Sequence, residues 1–326
     1  MFRIFNKYSF VAYALLPVVL LLFRIPLFMS PEVSMTSYDE DLYTPVWNLF
    51  FGYVGKGSVL SIVLALVVVF LTALFVNRLT NSFRFTERQS HLGGFYFIIL
   101  TSGFLVSQGF HPICLFVLLF VVALMRLFDG AQSNYPERYC YDAGVLFSLG
   151  ALLWAKGLWM LLFHVVVLIM LRMFTLRTVI STLLGMLTPV VLALTYFFFT
   201  DNLVAAIVDY IRCAVVPVAF YKTSILAKSY LVVLSIVLLM ATLHIFRKMP
   251  TQKIIESRYS KIMIWIIIYS VAMLMLPHFS FEVQQLIAVS GAIILSSYMQ
   301  SMRSKLMAEI ITLILVVLVW CVQWLS

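Results

Sequence analysis

The sequence predicts an all-α fold: a polytopic transmembrane helical bundle of about eleven helices, within a range of 9–11. Three observations carry this. The 326-residue chain is 63% hydrophobic and only 11% charged, with a mean hydropathy of +1.07, whereas soluble domains are about a quarter charged. Apolar runs of near-spanning length recur along the chain, and a bilayer core about 30 Å thick takes roughly 20 such residues per helix. These runs are continuous rather than alternating, so they are helices and not barrel strands.

Taken in order, the runs lie at 9–29, 58–76, 94–107, 112–125, 143–155, 157–171, 178–199, 226–246, 262–277, 283–299 and 307–325. The first follows the basic start "MFRIFNK" and has no small-residue cleavage site after it, so it reads as a retained span and not a removed signal. The pairs 94–107/112–125 and 143–155/157–171 are short for spans and read equally as re-entrant hairpins or single kinked elements. Losing one pair leaves the number of spans odd. Between the runs no segment is long enough to bury a core of its own, which makes 1–326 one integral membrane domain without a soluble domain.

Charge orients the bundle. With the N-terminus cytoplasmic, the basic residues fall in cytoplasmic segments, with Arg24, Lys56, Lys156, Arg212, Lys222 and Lys228 as the exceptions among 22. Cytoplasmic loops carry the Lys/Arg excess, so the N-terminus is expected inside and the C-terminus outside, which in a double-membrane bacterium is the periplasm. The net charge of +9 is thus a topology signal. It is not a nucleic-acid footprint, because no basic domain forms a binding face. Cys114, Cys140, Cys213 and Cys321 include no CxxC pair and read as small hydrophobes.

The stretch "SYDEDLYTPVW" places Asp39, Glu40 and Asp41 directly after the first run, in a long external segment. Clustered carboxylates there suit a divalent cation, Mg or Mn, or general-base work; they also suit a plain solvated loop. The aromatic "YTPVWNLFFGYV" that follows is expected to lie in the interface or fold back onto the bundle. Arg24, inside the first apolar run, reads as a partner of the nearby acids, as a phosphate-binding group or as a snorkelling side chain. His164 lies in mid-helix and is expected to hydrogen-bond a neighbouring helix. Asp142, before Ala143-Gly144, reads as a helix N-cap that pairs with Arg172 or Arg177 in a structural latch. The second long external segment, with Asp201, Asp209 and Arg212 among apolar residues, reads as an interfacial helix ending before Pro217. No GxGxxG, Walker A, GxSxG or HExxH pattern and no internal repeat is present.

Two resemblances follow from these residues. "RIPLF" followed by "YDEDLY" resembles the arrangement in the GT-C glycosyltransferases, which use polyprenyl-phosphate sugars and carry an acidic Asp-Glu motif in the first external loop. That resemblance implies catalytic roles for Asp39, Glu40 and Asp41. From 77 to 191, "NRLTNSFRFTERQSHLGGFYFIILTS", "YDAGVLFSLGALLW" and "LRMFTLRTVISTLLGMLTPVV" resemble an uncharacterised family of Bacteroidota inner-membrane proteins, through Asn77, Leu79, Thr86, Tyr96, Pro112, Asp142, Gly144, Arg172, Arg177, Gly185 and Pro189. This resemblance implies an inner-membrane bundle and brings no activity. The leading expectation is a multi-spanning protein of envelope biogenesis or assembly, with membrane lipids, a polyprenyl-phosphate-linked substrate or other envelope proteins as partners and no nucleic acid. A GT-C-like glycosyltransferase and a transporter or flippase are the alternatives, and enzymatic activity is left open.

Overall fold

The computed structural model describes residues 2–7, 9–29, 43–54, 58–104, 108–216, 225–276, 279 and 281–325. Among these residues the structure is all helix, with no strand. In chain order the helices are α1 (Phe2–Phe5), α2 (Phe10–Met29), α3 (Pro45–Phe51), α4 (Val59–Ser82), α5 (Leu92–Thr101), α6 (Pro112–Gly130), α7 (Pro136–Leu153), α8 (Met160–Met170), α9 (Leu176–Phe199), α10 (Leu203–Val215), α11 (Ile225–Lys248), α12 (Ile254–Leu274), α13 (Gln284–Ser301) and α14 (Lys305–Leu325). A 3₁₀ turn, Ala155–Trp159, leads into α8. Among the described residues seven helical segments are long and apolar enough to cross a membrane: α2, α4, α6, α9, Lys228–Thr251, α12 and Lys305–Trp324.

Two of the remaining runs are shorter or more polar because they face protein. Every residue of α5 is buried, and α13 beside it buries Gln284, Gln285, Ser290, Ser296 and Ser297 along with its apolar residues. A helix surrounded by others meets no lipid, so it requires neither full spanning length nor an apolar surface. The two run antiparallel. Gln300 bonds Arg88 at one end, with Arg88 N–H donating to Oε1 at 3.1 Å, and Gln284 Nε2 donates to the Leu100 carbonyl at the other, at 3.0 Å.

Helix starts follow local chemistry. Thr44, Ser58 and Thr175 accept backbone N–H bonds as N-caps, and Pro45, Pro112 and Pro136 occupy first-turn positions, where a missing N–H costs nothing. The expected boundaries at 143 and 262 are corrected to Pro136 and Ile254, because both helices continue through charged residues beyond the apolar run. Asp142 is therefore not an N-cap: it lies within α7, whose cap is Tyr135. α7 and α9 meet backbone to backbone. A Cβ on Gly185 would lie 2.3 Å from the Tyr141 carbonyl oxygen, and one on Gly144 would lie 2.6 Å from that of Thr182, so small residues set this approach. Ser148 Oγ locks it by donating to the Met186 carbonyl at 2.7 Å.

Three helices close with Schellman motifs on residues other than glycine. Phe85 N–H bonds the Thr80 carbonyl, Met173 that of Leu168 and Asn202 that of Phe197. The residues between, Arg84, Arg172 and Asp201, take φ of 54°, 59° and 54°, a left-handed conformation that glycine adopts without strain. Two further expectations are met. The 45–51 segment folds back, burying Val46 and Trp47, and α10 ends before Pro217.

A buried polar centre around Arg24

Helix α5 ends inside the bundle, and its last carbonyls must find donors other than water. Side-chain amides supply them. Gln284 reaches the Leu100 carbonyl at 3.0 Å, Gln108 reaches that of Ser102 at 2.9 Å, and Gln323 bonds both the Ser102 carbonyl, at 2.6 Å, and that of Phe23, at 3.0 Å. The third of these comes from α14 and the second from the loop before α6. Gln285 Nε2 adds a contact to Cys114 Sγ at 3.3 Å. Each amide spends its N–H on a carbonyl or sulfur. The Oε1 atoms of Gln108, Gln284 and Gln323 are left buried and without a partner among the described residues.

Arg24 enters this centre from α2. It is only 1% exposed, so it does not snorkel. One guanidinium nitrogen, Nη1, donates to the Gln108 carbonyl, whereas Nε meets no partner among the described residues. Nor does a carboxylate face it: the ion pairs among the described residues are Arg3–Glu309, Lys156–Glu282 and Lys248–Glu87. The negative end of the α5 dipole, whose carbonyls the glutamines cap, offsets part of the charge. The site therefore offers a desolvated cation with a free donor, beside three free amide acceptors. Such a group takes an anion that also carries a hydroxyl.

The same end of the bundle holds a buried ion pair. Lys156 Nζ lies 3.8 Å from Glu282 Oε1, with side chains 4% and 5% exposed, and Trp154 Nε1 donates to Glu282 Oε2 at 3.0 Å. Tyr43, Pro112 and Cys213 complete a small pocket with them. Helix α3 is fixed nearby through Thr44 Oγ1, which donates to the Leu152 carbonyl at 2.9 Å, and through Trp47, whose ring packs 5.0 Å from that of Phe110. An apolar groove of about 370 Å³ between α7, α8, α9 and α10 is lined by residues such as Phe147, Met186, Phe197 and Ile207, with Pro45 and Val46 of this end at its rim.

The opposite end gathers the exposed charge. Asn81 brackets Ser90 with two bonds, Nδ2 to its carbonyl at 2.9 Å and Oδ1 from its N–H at 3.1 Å, while Asn77 Nδ2 meets His91 Nδ1 at 2.9 Å. These bonds hold the 83–91 turn. Burial lowers the His91 pKa, against a hydrogen bond with the Ser9 backbone that raises it. Lys248 Nζ reaches Glu87 across this face at 2.8 Å.

The sequence-derived candidates separate. Arg24 belongs to a site; Asp39, Glu40 and Asp41 lie outside the described residues. Asp142 sits in α7, while Arg172 and Arg177 are exposed, and no ion pair among the described residues joins them. Arg172 is placed by its helix-ending role instead. His164 is buried against Phe147, with ring centroids 5.5 Å apart, and its Nε2 has no partner among the described residues, contrary to the interhelical bond expected. None of the four cysteines forms a disulfide among the described residues. The sequence pattern assigns no site role to Gln108, Gln284, Gln285, Gln323 or Glu282, and marks Lys156 only as an exception to the charge asymmetry. For Lys156 and Glu282 a signal existed, since each is a lone charge at the end of an apolar run.

A family model, described as a family of unknown function (DUF6427), matches residues 45–324, well beyond the 77–191 stretch that carries the resemblance. No curated protein and no solved structure matches the chain. The chain belongs to this family of unknown function.

Proposed function

For this member of a family without a known activity, we propose a multi-pass protein of the bacterial inner membrane that serves envelope biogenesis by binding a lipid-linked phosphate at the Arg24 centre. The observation that carries it is Arg24 itself: wholly buried, one donor free, no carboxylate opposite among the described residues. A phosphate oxygen satisfies Nε and neutralises the charge, and hydroxyls of a protonated phosphate or an attached sugar satisfy the glutamine oxygens. The nearby apolar groove suits an isoprenoid or acyl chain. With the N-terminus inside, α2 carries Arg24 toward the outer half, and the clustering of Arg3, Lys7, Arg88, Lys248 and Lys305 at the other end supports that orientation. A photoactivatable polyprenyl phosphate tests the reading. It should label α2 or the 108–114 segment in the native protein and lose at least about tenfold of that labelling in Arg24→Gln. Equal labelling of both proteins contradicts it.

A second reading, a GT-C-like glycosyltransferase, is favoured by chain adjacency. Tyr43 and Thr44, which follow the Asp39-Glu40-Asp41 run almost directly, are fixed at the Arg24 end. In that reading the acids hold Mg or Mn and the Arg24 site holds the donor phosphate. A complementation assay with Asp39→Asn/Glu40→Gln separates the readings: loss of glycolipid product with the protein still inserted supports catalysis, and full complementation removes it.

A further inference from the structure

The basic end carries a cavity of about 550 Å³ whose polar lining is Arg3, Asn6, Lys7, Ser9, Arg88 and Lys305. Its walls are built. Phe2 and Phe5 of α1 are buried, Phe5 stacks on Phe95 at 4.3 Å, and its carbonyl accepts the His91 N–H at 2.9 Å. Gln300 ties the two sides together, donating to Asn6 Oδ1 at 3.2 Å and to the Arg88 carbonyl at 2.9 Å. Four cations therefore face one space that the fold holds open. Among the described residues Glu309 answers Arg3 at 3.2 Å, and Glu87, whose ion pair is with Lys248, acts on Arg88 through charge alone.

We propose that this cavity binds the phosphate headgroup of an anionic phospholipid, independently of Arg24. Charge complementarity sets the chemistry: Lys7, Arg88 and Lys305 form no ion pair among the described residues, and they repel one another until an anion enters. The surroundings choose the source. Ile4, Phe10, Leu306 and Ile310 are exposed apolar side chains near the cavity, on α1, α2 and α14, and they offer acyl chains a surface that a free anion has no use for. Basic pockets between membrane helices hold acidic lipid headgroups in this way.

The test uses the full chain in detergent, titrated with phosphatidylglycerol, with phosphatidylcholine or with inorganic phosphate, the bound species being counted by native mass spectrometry. The native protein should hold one phosphatidylglycerol in preference to phosphatidylcholine. Lys7→Gln/Arg88→Gln/Lys305→Gln should weaken that binding about tenfold or more; should this variant not fold, Lys7→Gln alone, at an exposed position, should weaken it measurably. Three results overturn the proposal: unchanged phosphatidylglycerol binding in the variant that folds, equal binding of phosphatidylcholine by the native protein, or displacement of the lipid by millimolar inorganic phosphate.

Discussion

At one end of the bundle Arg3, Lys7, Arg88 and Lys305 stand exposed around an open cavity; at the other, Arg24, Lys156 and Glu282 are almost wholly buried. The difference is one of solvation. An exposed charge keeps its water, interacts weakly and can be plentiful. A buried charge has lost its water and depends on whatever the fold places against it. Numerous charges at the first end stay exposed to whatever surrounds the protein, while three at the second set local structure.

Breaking one partner at each end should expose this contrast most sharply. Glu282→Ala takes the carboxylate from the buried Lys156 ammonium and should cost about 3–5 kcal/mol in detergent unfolding, while Lys156→Met/Glu282→Met should be near neutral. Arg3→Ala, which breaks a pair whose arginine side chain is 64% exposed, should cost under about 1 kcal/mol. Equal costs would dissolve the distinction. Smaller effects are expected where backbone strain, not charge, is at issue. Arg84→Gly and Arg172→Gly at the basic end and Asp201→Gly at the other relieve a left-handed residue, and each should raise stability by up to about 1 kcal/mol. A loss from Arg84→Gly alone would show that its charge is used.

Smallest of all is the pH response of the exposed Glu87–Lys248 pair. The hydrogen bond and charge of Lys248 hold the Glu87 carboxyl below its ordinary pKa. Its stabilisation is therefore complete above the ordinary carboxylate value and is lost as pH falls through the lowered one. At an exposed site it amounts to about 0.2–1 kcal/mol and is screened by salt. Glu87→Gln should abolish that component of acid destabilisation; an identical acid profile in the variant would show that the pair contributes nothing.

Hydropathy made the bundle legible because lipid demands continuous apolar surface wherever a helix meets it. It misplaced the starts of α7 and α12, since Glu137, Arg138, Glu256 and Arg258 continue those helices beyond the apolar run. It drew α5 too long, since apolar residues also line the loop that follows. Pro136, a first-turn residue, was the available signal against Asp142 as a cap. Arg24 could be singled out because an arginine in an apolar run is costly. Its neighbours could not: Gln108 follows it by 84 residues and Gln323 follows Phe23 by 300, and a glutamine capping a distant helix has no periodic signature.

The central claim is that Arg24 serves a ligand and not the fold. Arg24→Met removes a buried charge that no carboxylate offsets among the described residues, so stability should hold or rise. Thermal melting in detergent, with and without a saturating polyprenyl phosphate, measures both quantities at once. The native protein should be stabilised by the lipid through mass action. Arg24→Met should melt at the same temperature or higher without lipid, and should gain nothing from it. A variant that melts well below the native protein yet is still stabilised by the lipid would contradict the account.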